Sequence, residues 1–114
     1  MNISRLESMM KGWFIGDFEP SLKNTKEFEV AVKKYAAGDY ESEHYHAVAS
    51  EYTVIVEGEA EMLGKRVRTG DIILIEPHES TDFRAVVDTI TVVVKTPSVK
   101  NDKFLGKPGD KQHA

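Results

Sequence analysis

The chain has 114 residues, 40% of them hydrophobic and 30% charged, and contains no cysteine. This length makes one domain with a small core, and the lack of cysteine excludes disulfides, thiolate catalysis and thiolate-held zinc or iron–sulfur centres. A formal charge of −4 and a pI near 5.5 speak against nucleic acid as a partner, because phosphate binding needs a basic face, but leave an anionic small ligand open. No stretch approaches the roughly twenty apolar residues of a membrane helix. The N-terminus, MNISRLESMMKGWFIG, lacks the apolar run of a secretory signal. The expectation is a cytoplasmic protein with no membrane partner.

Residues 1–11 are polar and are expected to be poorly structured. The aromatic and branched residues of GWFIGDF favour a short strand, and Pro20 with SLKNTK reads as a loop. In KEFEVAVKKY, Phe28, Val30 and Val32 alternate with Glu29, Ala31 and Lys33, which is the period of a half-buried strand. A turn at Ala36-Ala37-Gly38-Asp39 leads into a strand carrying two histidines. EYTVIVEG, EAEML, KRVR, DIILIEP, TDFRAVV and TITVVVKTP follow, each closed by a glycine, aspartate or proline turn. Short strands at this spacing, with no helical period between them, indicate an all-β sandwich or barrel spanning residues 12–99. The composition then turns to lysine, glycine and proline, and residues 100–114 read as a flexible tail.

The residues with chemistry lie in GDYESEHYHAVASEYTVIVEG, residues 38–58. In an extended strand residues i and i+2 share a face, so His44 and His46 can aim at one point. Glu51 opens the next strand, with Thr53 and Ile55 on its face and Tyr52, Val54 and Val56 on the other. A carboxylate on an inward face needs a partner, and either a metal or the histidine pair would supply one. Later in the chain Asp82 and Arg84 share a face. If that face is inward, Arg84 could hold a carboxylate or phosphate. Tyr40 either lines the mouth of the barrel or packs beside its turn.

With Gly38, His44, His46, Glu51 and Gly58 at their spacings, this stretch resembles the first signature motif of the cupin superfamily. Gly70-Asp71, the apolar IILIE and Pro77 resemble the opening of the second motif. There Glu79 stands where the turn glycine is usual, and Asp82 where a third histidine is usual. The resemblance implies a double-stranded β-helix, or jelly-roll barrel. It further implies a divalent transition metal held by His44, His46 and Glu51, with Asp82 as a fourth ligand or as a general base. Two histidines with carboxylates favour Fe(II) or Mn(II), with Ni(II) and Zn(II) possible. Asp82 can equally pair with Arg84. Arg84, Thr53 and Tyr40 are the candidate substrate contacts.

The expected function is that of a metal-binding small cupin, an oxygenase- or isomerase-type enzyme for a small organic acid or sugar-like substrate. The alternative is a non-catalytic module that binds such a ligand. Small cupins commonly pair, so a homodimer is expected. Trp13, Phe14 and Phe18 are expected either to cover the barrel or to form the dimer contact.

Overall fold

The computed structural model describes residues 1–109 and the backbone of residues 112 and 113. Apart from one 3-10 turn at Leu6–Ser8, every regular element among the described residues is a strand. In chain order these are β1 (Trp13–Ile15), β2 (Glu29–Tyr35), β3 (Tyr40–Tyr45), β4 (Ser50–Glu57), β5 (Glu59–Met62), β6 (Lys65–Arg68), β7 (Ile72–Ile75), β8 (Thr81–Ala85), β9 (Thr89–Thr96), β10 (Phe104–Leu105) and β11 (Gln112–His113). They form two sheets, ordered β1-β2-β9-β4-β7 and β11-β10-β3-β8-β5-β6. Each strand pair is antiparallel. This is the expected jelly-roll. No helix among the described residues is long and apolar enough to cross a membrane.

Alternation decides what each sheet turns inward. Along β4, Thr53 and Ile55 are buried while Tyr52 and Val56 are exposed, so Glu51 shares the inward face, as its spacing predicts. Ile55 joins Ala60, Met62, Phe83 and Ala85 in a core that fills one end of the barrel, with Tyr35, Val67, Ile73 and Ile75 packed around it. Burial of these apolar side chains is the main stabilising term. The other end of the inner face carries polar side chains and forms the site described below.

On β2 the alternation is present, but the valines are not the inward set. Ala31 is fully buried, and Lys33 and Tyr35 of the same face line the barrel interior. Val32 faces the other way, toward Leu6, Met9 and Gly12 of the N-terminal segment. That segment is tied to the strand by Val32 N–H, which donates to Gly12 O at 3.1 Å.

The C-terminal segment adds to the sheet beyond residue 99. Phe104 pairs with Tyr45 and Leu105 with His44, and the Phe104 and Tyr45 rings stack at 5.3 Å. Asp102 is 8% exposed. Its carboxylate accepts hydrogen bonds from the backbone N–H groups of Ala47 (2.9 Å), Val48 (3.1 Å) and Ala49 (2.9 Å). The loop after His46 is therefore shaped by a residue more than fifty positions away. Of the tail expected over 100–114, residues 110, 111 and 114 and the side chains of Gln112 and His113 lie outside the described residues.

The two motif glycines are constrained differently. Both have positive φ, +90° at Gly38 and +114° at Gly58, where a side chain is disfavoured. A Cβ at Gly38 would meet open space, whereas at Gly58 it would lie 2.5 Å from Thr89 Oγ1 and 2.6 Å from Asp88 O. Urea unfolding should show Gly58→Ala losing about 2–5 kcal/mol and Gly38→Ala about 1–2 kcal/mol. Equal losses would contradict the close approach at Gly58.

Candidate functional site

A cavity of about 290 Å³ opens at the polar end of the barrel. His44 and His46 enter it from β3 and the residue just after it, Glu51 and Thr53 from β4, and Thr91, Val93 and Lys95 from β9. β2 contributes Lys33 and Tyr35, and Trp13 of β1 covers one side. Trp13 thus takes one of the two roles expected of the N-terminal aromatic residues, while Phe14 and Phe18 do not line the cavity. A larger groove, about 650 Å³, runs between the N-terminal segment, β2 and the start of β3. It contains neither histidine.

The pairing of β3 with β8 shifts register between Glu41 and His44. Such a bulge turns side chains that simple alternation would place elsewhere. Glu41 consequently lines the cavity, where it meets Lys33 Nζ at 3.3 Å. The His44 and His46 rings stand edge to face, 5.6 Å apart. His44 Nδ1 lies 2.9 Å from Ser42 O, a contact in which Nδ1–H donates. His46 is 4% exposed, and its carbonyl accepts from His78 N–H at 2.7 Å.

His46 Nδ1 lies 3.9 Å from Glu51 Oε1, and its Nε2 lies 3.4 Å from Lys95 Nζ. Burial, then the charge of Lys95 and then His44, push the His46 imidazole down to about 3. It is therefore neutral near neutral pH. Its contact with Glu51 is not an ion pair, and its Nε2 accepts from the Lys95 ammonium. Glu51 Oε2 in turn accepts from Thr53 Oγ1 at 2.8 Å.

Asp82 reaches the edge of the cavity, but both its oxygens are engaged. Oδ1 accepts from Leu63 N–H at 2.7 Å, and Oδ2 from Tyr40 Oη at 3.3 Å. The inward residues of β8 are Thr81, Phe83 and Ala85, one position out of step with Asp82 and Arg84. Arg84 is exposed, with its guanidinium over the Tyr40 ring at 5.2 Å. Of the candidate substrate contacts, Thr53 lines the cavity, while Arg84 and Tyr40 lie outside it. Asp82 bonds to Tyr40 rather than to Arg84.

A metal would need the free nitrogens of both histidines and a carboxylate around one point. Among the described residues no group of three or more His, Asp or Glu side chains is gathered closely enough to hold one. The donor types suit a divalent ion, but His46 Nε2 already faces an ammonium and Asp82 is turned to Leu63. The site as arranged does not fit a metal.

What the cavity gathers instead is cations. Lys11, Lys33, Lys95 and Lys103 line it against Glu41, Glu51 and Asp82. Lys95 and Lys33 lie over the Trp13 ring at 4.9 and 5.7 Å, close enough for cation–π attraction. Partial burial, reinforced by Lys33, Lys95 and Lys11 and opposed by Glu41, holds the Lys103 ammonium below the usual lysine range. Burial, then the charges of Glu41 and Glu51, push the Tyr35 phenol up. Thr91, 1% exposed, leaves its hydroxyl without a hydrogen-bond partner among the described residues. The sequence motifs give no signal for Lys33, Lys95, Lys103 or Asp102. Lys95 is placed by its register, opposite Glu29 on one side and Glu51 on the other.

The depressed His46 value sets a pH dependence. The folded protein keeps His46 neutral down to about 3, while the unfolded chain takes up the proton near 6.5. Stability contributed by this group is full above the unfolded value and is lost as pH falls from there. The slope should approach about 1.4 kcal/mol per pH unit. Urea unfolding across this window should show the loss in the wild type and a smaller one in His46→Gln. The same slope in both would contradict a buried neutral His46.

No protein-family model and no curated relative matches the chain. Solved structures do. A double-stranded β-helix domain protein from Klebsiella pneumoniae is 22% identical, with TM-score 0.66 and 73% of each chain covered. KdgF from Halomonas sp. is 20% identical, with TM-score 0.61 over 67% of this chain and 74% of that one. The DMSP lyase DddQ from Ruegeria pomeroyi is 23% identical, with TM-score 0.68 over 82% of this chain and 50% of that one. Oxalate decarboxylase from Bacillus subtilis, a protein with Mn(II) centres, is 15% identical, with TM-score 0.61 over 70% of this chain and 24% of that one. The two antiparallel sheets and these likenesses agree: the chain is a double-stranded β-helix protein with the cupin fold.

Proposed function

We propose that the barrel mouth is a site for a small organic acid. The observation that carries this is the lining of the cavity. Lys33, Lys95 and Lys103 surround it, and neither Lys11 nor Lys103 is in an ion pair among the described residues. Ammonium groups in a partly desolvated pocket attract a carboxylate more strongly than they would in water. Trp13 and Phe83 offer apolar walls, while Thr53 and Thr91 offer hydroxyls. A volume of about 290 Å³ lies at the small end for ligand sites, which suits an acid of a few carbons better than a nucleotide.

The second reading is a metal-dependent enzyme of oxygenase or isomerase type. It is favoured by His44, His46 and Glu51 lining one cavity and by the lyase DddQ and oxalate decarboxylase among the similar folds. It would use Fe(II) or Mn(II) and would require Lys95 to leave His46. A non-catalytic ligand module would share the acid-binding residues and lack turnover.

A homodimer belongs to the proposal, and its best surface is the outer face of β4 and β7. Tyr52, Val56, Ile72 and Leu74 are exposed there, at 40%, 48%, 69% and 48%. Light scattering should give twice the chain mass, and Ile72→Lys should return a monomer. A monomeric wild type would remove the dimer from the proposal.

The ligand class is tested by thermal shift with small mono- and dicarboxylic acids against their neutral amides. Acids should raise the melting temperature and amides should not. Lys33→Ala and Lys103→Ala should each weaken acid binding about tenfold. Amides that stabilise as well as acids would overturn the charge-based reading.

A further inference from the structure

We infer that Lys95 is the resident cation of this site and excludes divalent metals from His46. The inference rests on where Lys95 is held. It does not depend on the organic-acid reading, because it concerns the protein's own charge rather than its ligand.

Lys95 is the last inward residue of β9, following Thr89, Thr91 and Val93 on the same face. β9 is paired on both sides, and Lys95 lies opposite Glu29 of β2 and Glu51 of β4. Its backbone therefore has little freedom. Its ammonium is held as well. Glu29 Oε2 lies 3.6 Å away, the Trp13 ring lies 4.9 Å below, and His46 Nε2 accepts at 3.4 Å. Glu29 is itself fixed by Ser98, whose hydroxyl donates to Glu29 Oε1 at 3.0 Å. Ser98 Oγ also accepts from Asp17 N–H at 3.0 Å.

A divalent ion can bind His46 only through a ring nitrogen with a free lone pair. With the Nε2 lone pair directed at Lys95, Nδ1 carries the proton, so no second lone pair remains. A metal at Nε2 would stand within a few ångströms of the ammonium. The side chains of Lys95 and Glu29 are 17% and 12% exposed, and like charges so poorly screened repel strongly. Moving Lys95 aside would also leave Glu29 without its ion-pair partner, and an unpaired carboxylate there is costly. Lys33 and Lys103 around the same cavity add to the repulsion.

The test titrates Mn(II), and separately Zn(II), into tag-free protein at neutral pH, read by calorimetry and by water proton relaxation for Mn(II). Wild type should show no binding tighter than about 1 mM. Lys95→Met, of similar volume and uncharged, should bind at least about tenfold tighter, and the gain should vanish in Lys95→Met with His46→Ala. Lys95→Gln provides the same comparison if the methionine variant unfolds, and circular dichroism verifies the fold of each. Wild-type binding as tight as that of the uncharged variants would overturn the inference, and so would a folded uncharged variant that gains nothing. Wild type that binds Mn(II) tightly leaves the organic-acid reading standing. Wild type that excludes Mn(II) but ignores organic acids sinks that reading alone.

Discussion

The register of β9 between β2 and β4 decides what this barrel presents at its mouth. Once Ala31 pairs with Val93 and Thr53 with Val93, the pleat sets the next inward position on each strand. Glu29, Lys95 and Glu51 then stand in one row across three strands. A slip of one residue in β9 would replace Lys95 with Val94 or Thr96, and one in β4 would turn Glu51 out to solvent. The charges of the site are consequences of a ladder whose stability comes from its buried end, around Ile55 and Phe83.

Parts far apart in the chain converge on the histidine loop. Asp102 satisfies three successive N–H groups of residues 47–49, and His78 N–H satisfies the His46 carbonyl. Buried backbone groups left unpaired would be costly, so these bonds fix the backbone orientation at His46. From that position Nε2 points to Lys95 and Nδ1 toward Glu51. The loop geometry, the ring orientation and the place of the ammonium therefore form one coupled arrangement. Trp13 closes it from the N-terminal side.

Much of the fold was legible in the sequence. Short β-branched runs between glycine and aspartate turns point to an all-β sandwich or barrel, the motif resemblance implies the jelly-roll, and the alternation of EYTVIV correctly pairs Glu51 with Thr53 and Ile55. The faces of other strands were hidden by composition. In TITVVVKT every residue suits a strand, so the inward series of Thr89, Thr91, Val93 and Lys95 has no contrast with Ile90, Val92 and Val94. On β2 the valines draw attention, yet Lys33 and Tyr35 are the ones that face the cavity. Asp82 sits at the counted position of a ligand, but β8 turns Thr81 and Phe83 inward instead. The bulge in β3 brings Glu41 inside, and no sequence period announces a bulge. Asp102 sits in a lysine-rich segment that looks solvated. Its role depends on a contact more than fifty residues back, which only the folded chain reveals.

The contact between Lys95 and His46 Nε2 links the polar end of the barrel to its electrostatics, and it has a direct spectroscopic signature. Long-range proton–nitrogen correlation NMR of uniformly labelled protein at about pH 6 reports the protonation of each imidazole nitrogen. The expected pattern for His46 is a neutral ring with the proton on Nδ1 and a bare, hydrogen-bonded Nε2 whose shift moves in Lys95→Met. A His46 ring that is doubly protonated at that pH, or that carries its proton on Nε2, would contradict the arrangement.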